Sequence, residues 1–269
     1  ELYVRWLQYG VFQPVFRPHA QEDVPSEPVF RSEKALKLSK QAIELRYALL
    51  PYNYHLVFEN NTQGLPLMRP LFFEDSRPEL KTISSTYLWG NDFLISPIIK
   101  AGQELQKIHF PNTSNWYDFY TKQKHTGGKT TFIKTQENSI PTFVRGGALV
   151  PMIQPIQSTD NYQLDDFELH YFFDESVKQT ERLIYNDNGL LSNAYEKGYY
   201  ELLKVNTKHN SNQIQMELSA TNGGQFQSNI KEIELIESYI LPSIKNKNTL
   251  SNDNDVDIIS STSTKKDTE

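Results

Sequence analysis

Histidine is the side chain in this sequence best suited to proton transfer, or to hydrogen bonding with a bound hydroxyl group, near neutral pH, and the chain has six of them. His19 follows Val11–Phe16, an apolar run that predicts a buried strand, so we expect it at that strand's C-terminal end. A lone loop histidine can equally be structural or solvated. The others show no i, i+4 pairing, so we expect no metal site. They are His55, His109, His125, His170 and His209.

Three pairs of neighbouring acidic residues invite a two-carboxylate interpretation. Adjacent residues of a strand point to opposite faces, and adjacent loop acids are usually solvated, so we do not expect these pairs to act together. The oxygen-rich run at 187–189 lacks the further acids of a calcium loop and predicts a plain turn. The pairs are Glu22 and Asp23, Asp165 and Asp166, and Asp174 and Glu175.

Aromatic residues cluster over 116–120 and could form a flat binding platform. Strand alternation sends Trp116 and Asp118 to one face, and Tyr117 and Phe119 to the other. A platform needs its rings on one exposed face, so we expect these residues to pack in a core.

Composition excludes several classes of function. The chain has 269 residues, 27 Lys+Arg against 33 Asp+Glu, and a net charge of -6, so it has no basic footprint for nucleic acid. It has no cysteine, which excludes disulfides, thiolate nucleophiles and metal–thiolate sites. No apolar run approaches the roughly 18 residues of a membrane span, so we expect neither nucleic acid nor membrane as a partner.

Helical spacing marks two regions near the start of the chain. Apolar residues at that spacing predict a helix over Glu1–Gly10. A long helix is predicted from the N-cap Ser32 to about Phe58, with a kink at Pro51, and Gly64 closes the region. Its apolar stripe is Ala35, Leu38, Ala42, Leu45, Leu49, Tyr52 and Leu56.

From Leu65 the apolar period changes to two, and turn residues recur about every ten positions, which predicts an all-β region. A polar stretch over 154–161 divides it in two. The predicted strands are Leu67–Phe73, Phe93–Ile99, Gln106–Phe110, Trp116–Phe119, Thr130–Lys134, Thr142–Val144 and Ala148–Met152, then Phe167–Phe173, Arg182–Tyr185, Tyr199–Thr207, Gln213–Ala220 and Ile230–Ile236.

Several blocks of this sequence resemble, in the same order, the end of the catalytic barrel and the following β domain of glycoside hydrolase family 31, which contains α-glucosidases and α-xylosidases. The resemblance covers about residues 1–153 and continues more weakly into the turn at 185–189. The blocks are Glu1–Gln8, Phe16–Ala20, Leu45–Tyr52, Gly64–Phe73, Gly90–Pro97, Trp116–Phe119 and Phe143–Gly147.

The resemblance implies a fold class: the last elements of a (β/α)8 barrel followed by two all-β sandwich domains, mainly β overall. It assigns 1–64 to the barrel end, 65–153 to a proximal β-sandwich and 154–245 to a distal β domain. Residues 246–269 are too polar to pack and are expected to be a disordered tail. A closed barrel takes about 250 residues, so most of it would lie outside this chain. Leu38, Leu45, Leu49 and Leu56 of the long helix would then form an exposed apolar patch.

Family members are retaining glycosidases that use two aspartates, and neither of the motifs that carry them occurs here. We therefore assign no catalytic residue to this chain and expect the chain alone to be inactive. The resemblance implies that His19 contacts the sugar at the cleavage point. Phe16, in the same block, is a second candidate sugar contact, with a core aromatic as the alternative interpretation. The implied partners are an oligosaccharide substrate and the N-terminal part of the same enzyme, without any cofactor.

An α-glucosidase is the favoured activity. The alternatives are an α-xylosidase or a transglycosylase of the same family, or a non-catalytic carbohydrate-binding or structural β module that uses the aromatic residues near Trp116.

Overall fold

The structure is a computed structural model that describes residues 1–209 and 214–237. Strand residues outnumber helical residues, which confirms that the chain is mainly β. It divides into two compact units, one covering Glu1–Gly146 and one beginning at Gly147. The expected tail at 246–269 lies outside the described residues. Within the described ranges, no helix combines the length and the apolar character needed to cross a membrane.

The α-helices of the first unit confirm the predicted starts near Glu1 and after Ser32, whereas the helical region ends at Gln63 and not at about Phe58. They are α1 (Leu2–Gly10), α2 (Glu33–Ala48) and α3 (Leu50–Gln63). Ser32 caps α2, because its Oγ accepts a hydrogen bond from the Ala35 amide at 3.4 Å. The kink expected at Pro51 is instead a complete break between α2 and α3. Pro51 lies in the first turn of α3, where proline is tolerated because the amide it lacks would have no helical partner. Gly64 ends α3 with a φ of 71°.

The strands of the first unit build two sheets. The strands are β1 (Met68–Pro70), β2 (Tyr87–Trp89), β3 (Phe93–Ile95), β4 (Leu105–His109), β5 (Trp116–Asp118), β6 (Lys124–His125), β7 (Thr130–Lys134) and β8 (Thr142–Arg145). Six of them form one sheet in the order β1-β2-β3-β8-β5-β6, and β4 pairs with β7 in a second sheet. The predicted strand over Leu67–Phe73 is shorter than expected, because Leu71–Phe73 is a 3-10 helix.

Strand β2 has no counterpart among the predicted strands. Its residues Tyr87, Leu88 and Trp89 are all buried, so the polar–apolar alternation that marks a half-exposed strand is absent. Both faces of the six-stranded sheet are covered. On one face Leu88 and its neighbours pack against residues of β4 and of two 3-10 helices, Leu71–Phe73 and Pro78–Thr82. The cluster is Leu71, Leu80, Leu88, Leu94, Ile108, Phe110, Trp116 and Phe143.

The other face of this sheet carries the helices. The Trp89 indole donates to Asn53 Oδ1 on α3 at 2.8 Å, and the Tyr52 and Phe93 rings meet edge to face at 5.1 Å. The expectation of an exposed leucine patch is wrong: Leu49 and Leu56 are buried, and Leu38 and Leu45 are half-buried. Full burial of a leucine such as Leu56 of α3 contributes roughly 1.5–3 kcal/mol, so the burial of this residue stabilises the packing of the helix.

The second unit contains two three-stranded sheets. Its strands are β9 (Leu149–Met152), β10 (Asp166–Tyr171), β11 (Gln179–Asp187), β12 (Tyr200–His209), β13 (Ile214–Asn222) and β14 (Glu232–Glu237). In one sheet β10 pairs antiparallel with β9 and parallel with β14, and the other is the antiparallel sheet β11-β12-β13. Strand β12 alternates between buried and half-buried residues along nearly its whole length, which is the pattern that made it predictable.

A charged network joins α3 to β1 in the first unit. Arg69 Nη2 donates to Glu59 Oε2 at 3.0 Å, and His55 Nε2 lies 3.5 Å from Glu59 Oε1. Burial alone would raise the pKa of the Glu59 carboxyl, but the hydrogen bonds and charges of His55 and Arg69 outweigh it and lower that pKa.

Replacing Arg69 by methionine should lower the free energy of unfolding by about 3–5 kcal/mol at pH 7, because it removes one partner of a largely buried ion pair and leaves only His55 beside the Glu59 carboxylate. Since the folded-state pKa of Glu59 is lowered below its ordinary value of 4.5, the network stabilises the fold above that pH and loses this contribution as the pH falls through the folded-state pKa. Urea unfolding at several pH values measures both effects.

The matched control is Lys40→Met, which removes an i, i+4 ion pair with Glu44 in which both side chains are exposed. It should cost less than about 0.5 kcal/mol. Equal effects of the two substitutions would contradict the stabilising role of the buried network.

Candidate functional site

The 11–19 segment, which follows α1, carries both predicted site residues, Phe16 and His19. It is not a strand, so the strand predicted over Val11–Phe16 is wrong, and so is the placement of His19 at a strand end. The amides of residues 11–13 donate instead to carbonyls in the last turn of α1 at 3.1–3.2 Å. The start of the apolar run therefore forms turns that extend the C-terminal end of α1.

Arg46, on the last turn of α2, binds the backbone of this segment. Its Nη1 donates to the carbonyls of Val11 and Gln13 at 2.8 and 2.7 Å. Its Nη2 donates to the Pro14 carbonyl at 3.4 Å. Burial lowers the pKa of Arg46, yet arginine stays charged in proteins, so these are charge-assisted hydrogen bonds.

The carbonyl between these, that of Phe12, also accepts from a side chain. The Tyr87 hydroxyl on β2 donates to it at 2.8 Å, and burial raises the pKa of Tyr87, so this hydroxyl keeps its proton. All carbonyls from Val11 to Pro14 are thus bonded to side chains, which explains in physical terms why this β-rich run does not need a neighbouring strand.

Phe16 folds back against the end of α1. A Cβ added to Gly10 would lie 2.6 Å from Phe16 Cδ2, so only glycine allows the ring this position. The Arg46 guanidinium carbon lies 6.0 Å from the centre of the same ring, at the limit of a cation–π contact. Phe16 remains half-buried, which leaves part of its ring available to a ligand.

His19 is exposed, and Arg17 Nη2 lies 3.3 Å from its Nδ1. Arginine has only donors, so Nδ1 is the acceptor and the neutral ring carries its proton on Nε2. The segment therefore presents an N–H donor and part of an aromatic ring, a combination suited to a ligand with hydroxyl groups and an apolar face.

The aromatic residues at 116–120 do not form a platform. Trp116 is fully buried and donates from its indole to the Pro111 carbonyl at 3.1 Å. Tyr117 and Phe119 are buried as well, which confirms the core interpretation and removes the surface needed by a carbohydrate-binding module centred on Trp116.

The paired acids have separate structural surroundings. Glu22 and Asp23 are exposed in a loop. Asp174 is buried and accepts from the Ser176 amide at 2.9 Å, while Asp165 pairs with Lys231 at 2.7 Å. None of these contacts brings two carboxylates together.

The turn at 187–189 is an ordinary one, with the Gly189 amide donating to Asp187 Oδ1 at 2.7 Å. Across residues 1–209 and 214–237, no three His, Asp or Glu side chains are grouped so that they could hold a metal ion.

Sequence reasoning missed Arg46 and Tyr87, the two residues that hold the 11–19 segment. A signal for Arg46 existed, since it is a charged residue directly after Leu45 in the apolar stripe of the long helix. No sequence pattern pointed to Tyr87, because its strand lacks the alternation by which strands were predicted.

Two domain models of one family match this chain. The model described as the TIM-barrel domain of glycosyl hydrolases family 31 matches residues 1–56, and that of the family's C-terminal domain matches residues 64–150. The chain belongs to glycosyl hydrolase family 31. The barrel match lies within the first compact unit, which also contains the 11–19 segment. The match to the C-terminal domain begins in the first unit and ends at residue 150, just inside the second.

The curated relatives that this chain matches include proteins named as alpha-glucosidases and one named as an alpha-xylosidase. A probable glucan 1,3-alpha-glucosidase of Oryza sativa subsp. japonica is 34% identical over 207 residues, covering 74% of this chain and 22% of the relative. Neutral alpha-glucosidase AB of Homo sapiens is 34% identical, covering 62% of this chain and 18% of the relative. An alpha-xylosidase of Saccharolobus solfataricus is 31% identical, covering 76% and 28%. The chain thus spans less than a third of each relative's length.

Solved structures agree with this assignment. The family 31 dextranase of Flavobacterium johnsoniae, complexed with glucose, superposes with a TM-score of 0.75 at 30% identity, covering 80% of this chain and 26% of the dextranase. The family 31 alpha-xylosidase of Xanthomonas citri also gives a TM-score of 0.75, at 22% identity, covering 87% of this chain and 26% of the other, and supports the fold alone.

Gly10→Ala should cost about 1–3 kcal/mol of stability, because the new methyl group overlaps the Phe16 ring. In a Phe16→Ala background the same substitution should cost roughly nothing, since alanine is the better residue at the end of a helix. Urea unfolding of the four proteins of this cycle measures the coupling. An identical cost of Gly10→Ala in both backgrounds would contradict the contact.

Proposed function

We propose that this chain is the C-terminal portion of a retaining α-glycosidase and that the intact enzyme is an α-glucosidase. The observation that carries the proposal is the pair of family 31 domain matches in chain order, barrel over 1–56 and C-terminal domain over 64–150. We retain the division into a barrel end at 1–64, a proximal β-sandwich at 65–153 and a distal β domain at 154–245 as part of this proposal, with 246–269 as its tail.

The proposed substrate is an oligosaccharide with a terminal α-linked glucose. Relatives named as α-glucosidases support it, including the plant and human proteins at 34% identity. The second candidate is an α-xylosidase, which is favoured by one specific observation: the archaeal relative of that name covers as much of this chain as the plant one. A transglycosylase would share the same covalent intermediate and differ in its acceptor.

In the proposed mechanism, barrel segments outside residues 1–269 supply the two carboxylates. In retaining enzymes these stand about 5–5.5 Å apart, one attacking the anomeric carbon and the other protonating the leaving oxygen. This chain supplies sugar contacts. His19 donates from Nε2 to a sugar hydroxyl, and the accessible part of the Phe16 ring lies against the sugar. Their support is the donor assignment of His19 and the half-buried position of Phe16.

Replacing His19 by alanine in the enzyme that contains this chain should lower kcat/KM for an aryl α-glucoside about 10-fold, which corresponds to the loss of one hydrogen bond of about 1.4 kcal/mol. Parallel assays with an aryl α-xyloside distinguish the two substrate classes. His109→Ala is the matched control, because that histidine lies on β4 and hydrogen-bonds to Thr130. An unchanged kcat/KM in His19→Ala would overturn the proposed sugar contact.

The chain of residues 1–269 alone should show no turnover of the same substrates, since neither catalytic carboxylate is assigned to it. The measurement is a long incubation with purified chain and detection of released glucose. Turnover that His19→Ala abolishes would show that the catalytic groups are in this chain after all.

A further inference from the structure

The hydrogen bonds of Arg46 are concentrated on one piece of backbone. The guanidinium is bonded to three carbonyls of the stretch Val11–Pro14, which directly precedes Phe16 and His19. A planar fork of donors can reach three acceptors at once, whereas a lysine ammonium is a point donor on a flexible stem. The geometry therefore requires arginine rather than a positive charge in general.

Arg46 also lacks the partner that a structural arginine usually has. No Asp or Glu of the described residues lies within ion-pair distance of it, and its charge faces carbonyl dipoles and the edge of a cation–π contact with Phe16. Keeping a desolvated cation without a carboxylate carries a free-energy cost, which these hydrogen bonds offset. The same hydrogen bonds fix the conformation of a segment that has no regular secondary structure.

We propose that Arg46 is a positioning residue: through the carbonyls of Val11–Pro14 it fixes the orientation in which Phe16 and His19 meet the sugar. This inference rests on the proposed sugar contact of His19. Tyr87, which holds the Phe12 carbonyl from β2, acts in the same direction with a single hydrogen bond. Without Arg46 the segment samples other conformations, and the sugar must select the competent one.

The test uses the enzyme that contains this chain and measures kcat and KM for an aryl α-glucoside together with the melting temperature. Arg46→Met should lower kcat/KM by about 100-fold, the size of effect that a misplacement of about 1 Å produces. Arg46→Lys should be intermediate, because it keeps the charge and reaches fewer carbonyls. Tyr87→Phe, which removes only a hydroxyl, should lower kcat/KM several-fold and serves as the second variant should Arg46→Met fail to fold.

The matched control is Arg31→Met. Arg31 has the same kind of contacts, donating to the Pro25 carbonyl at 2.8 Å and lying 4.4 Å from the centre of the Tyr3 ring, but it holds a different loop. If Arg46 were merely structural, Arg31→Met and Arg46→Met would lower the melting temperature alike and leave kcat/KM of the folded protein unchanged.

The double variant separates this inference from the function it rests on. If Arg46 acts through His19, Arg46→Met should lower kcat/KM much less in a His19→Ala background than in the wild-type enzyme. Full additivity of the two losses overturns the positioning role while leaving the sugar contact of His19 intact. No loss in His19→Ala itself overturns the sugar contact, and the positioning role with it.

Discussion

The six-stranded sheet of the first unit is the constraint on which the site depends, because its central strands β2 and β3 are buried on both faces. One face packs on residues from β4 and the 3-10 helices around Phe110 and Trp116, and the other carries the helices. The same strand that is hydrogen-bonded to α3 through Trp89 also holds the Phe12 carbonyl through Tyr87. Strand β2 therefore contributes both to the core and to the position of the 11–19 segment, so a substitution that displaces β2 affects both.

Local chemistry made much of this fold predictable. The Ser32 cap and the left-handed Gly64 gave the outer ends of the helical region, and the period-two pattern gave strands such as Thr130–Lys134 with the right bounds. Predictions failed where tertiary contacts replace local pattern. Tyr87–Trp89 is buried on both faces and has no alternation, while the carbonyls of Val11–Pro14 are bonded to distant side chains instead of a strand.

The candidate site also has one part that the sequence could predict and one part that it could not. Phe16 and His19 were proposed from a resemblance to family motifs, and the structure places both in the 11–19 segment that follows α1. Arg46 and Tyr87, which bind the backbone of this segment, lie 35 and 75 residues along the chain from the carbonyls that they bind. Only the packing of α2 and β2 brings these two side chains to the segment. Spacing along the chain cannot reveal such contacts, since the partners of a backbone carbonyl are fixed by the tertiary fold.

The most direct measurement of the central claim is a crystal structure of the enzyme containing this chain with glucose bound. The account predicts a sugar hydroxyl within hydrogen-bond distance of His19 Nε2, the Phe16 ring beside the sugar, and Arg46 still bonded to the backbone of Val11–Pro14. A bound glucose with no atom near His19 or Phe16 would contradict the claim that the 11–19 segment binds substrate.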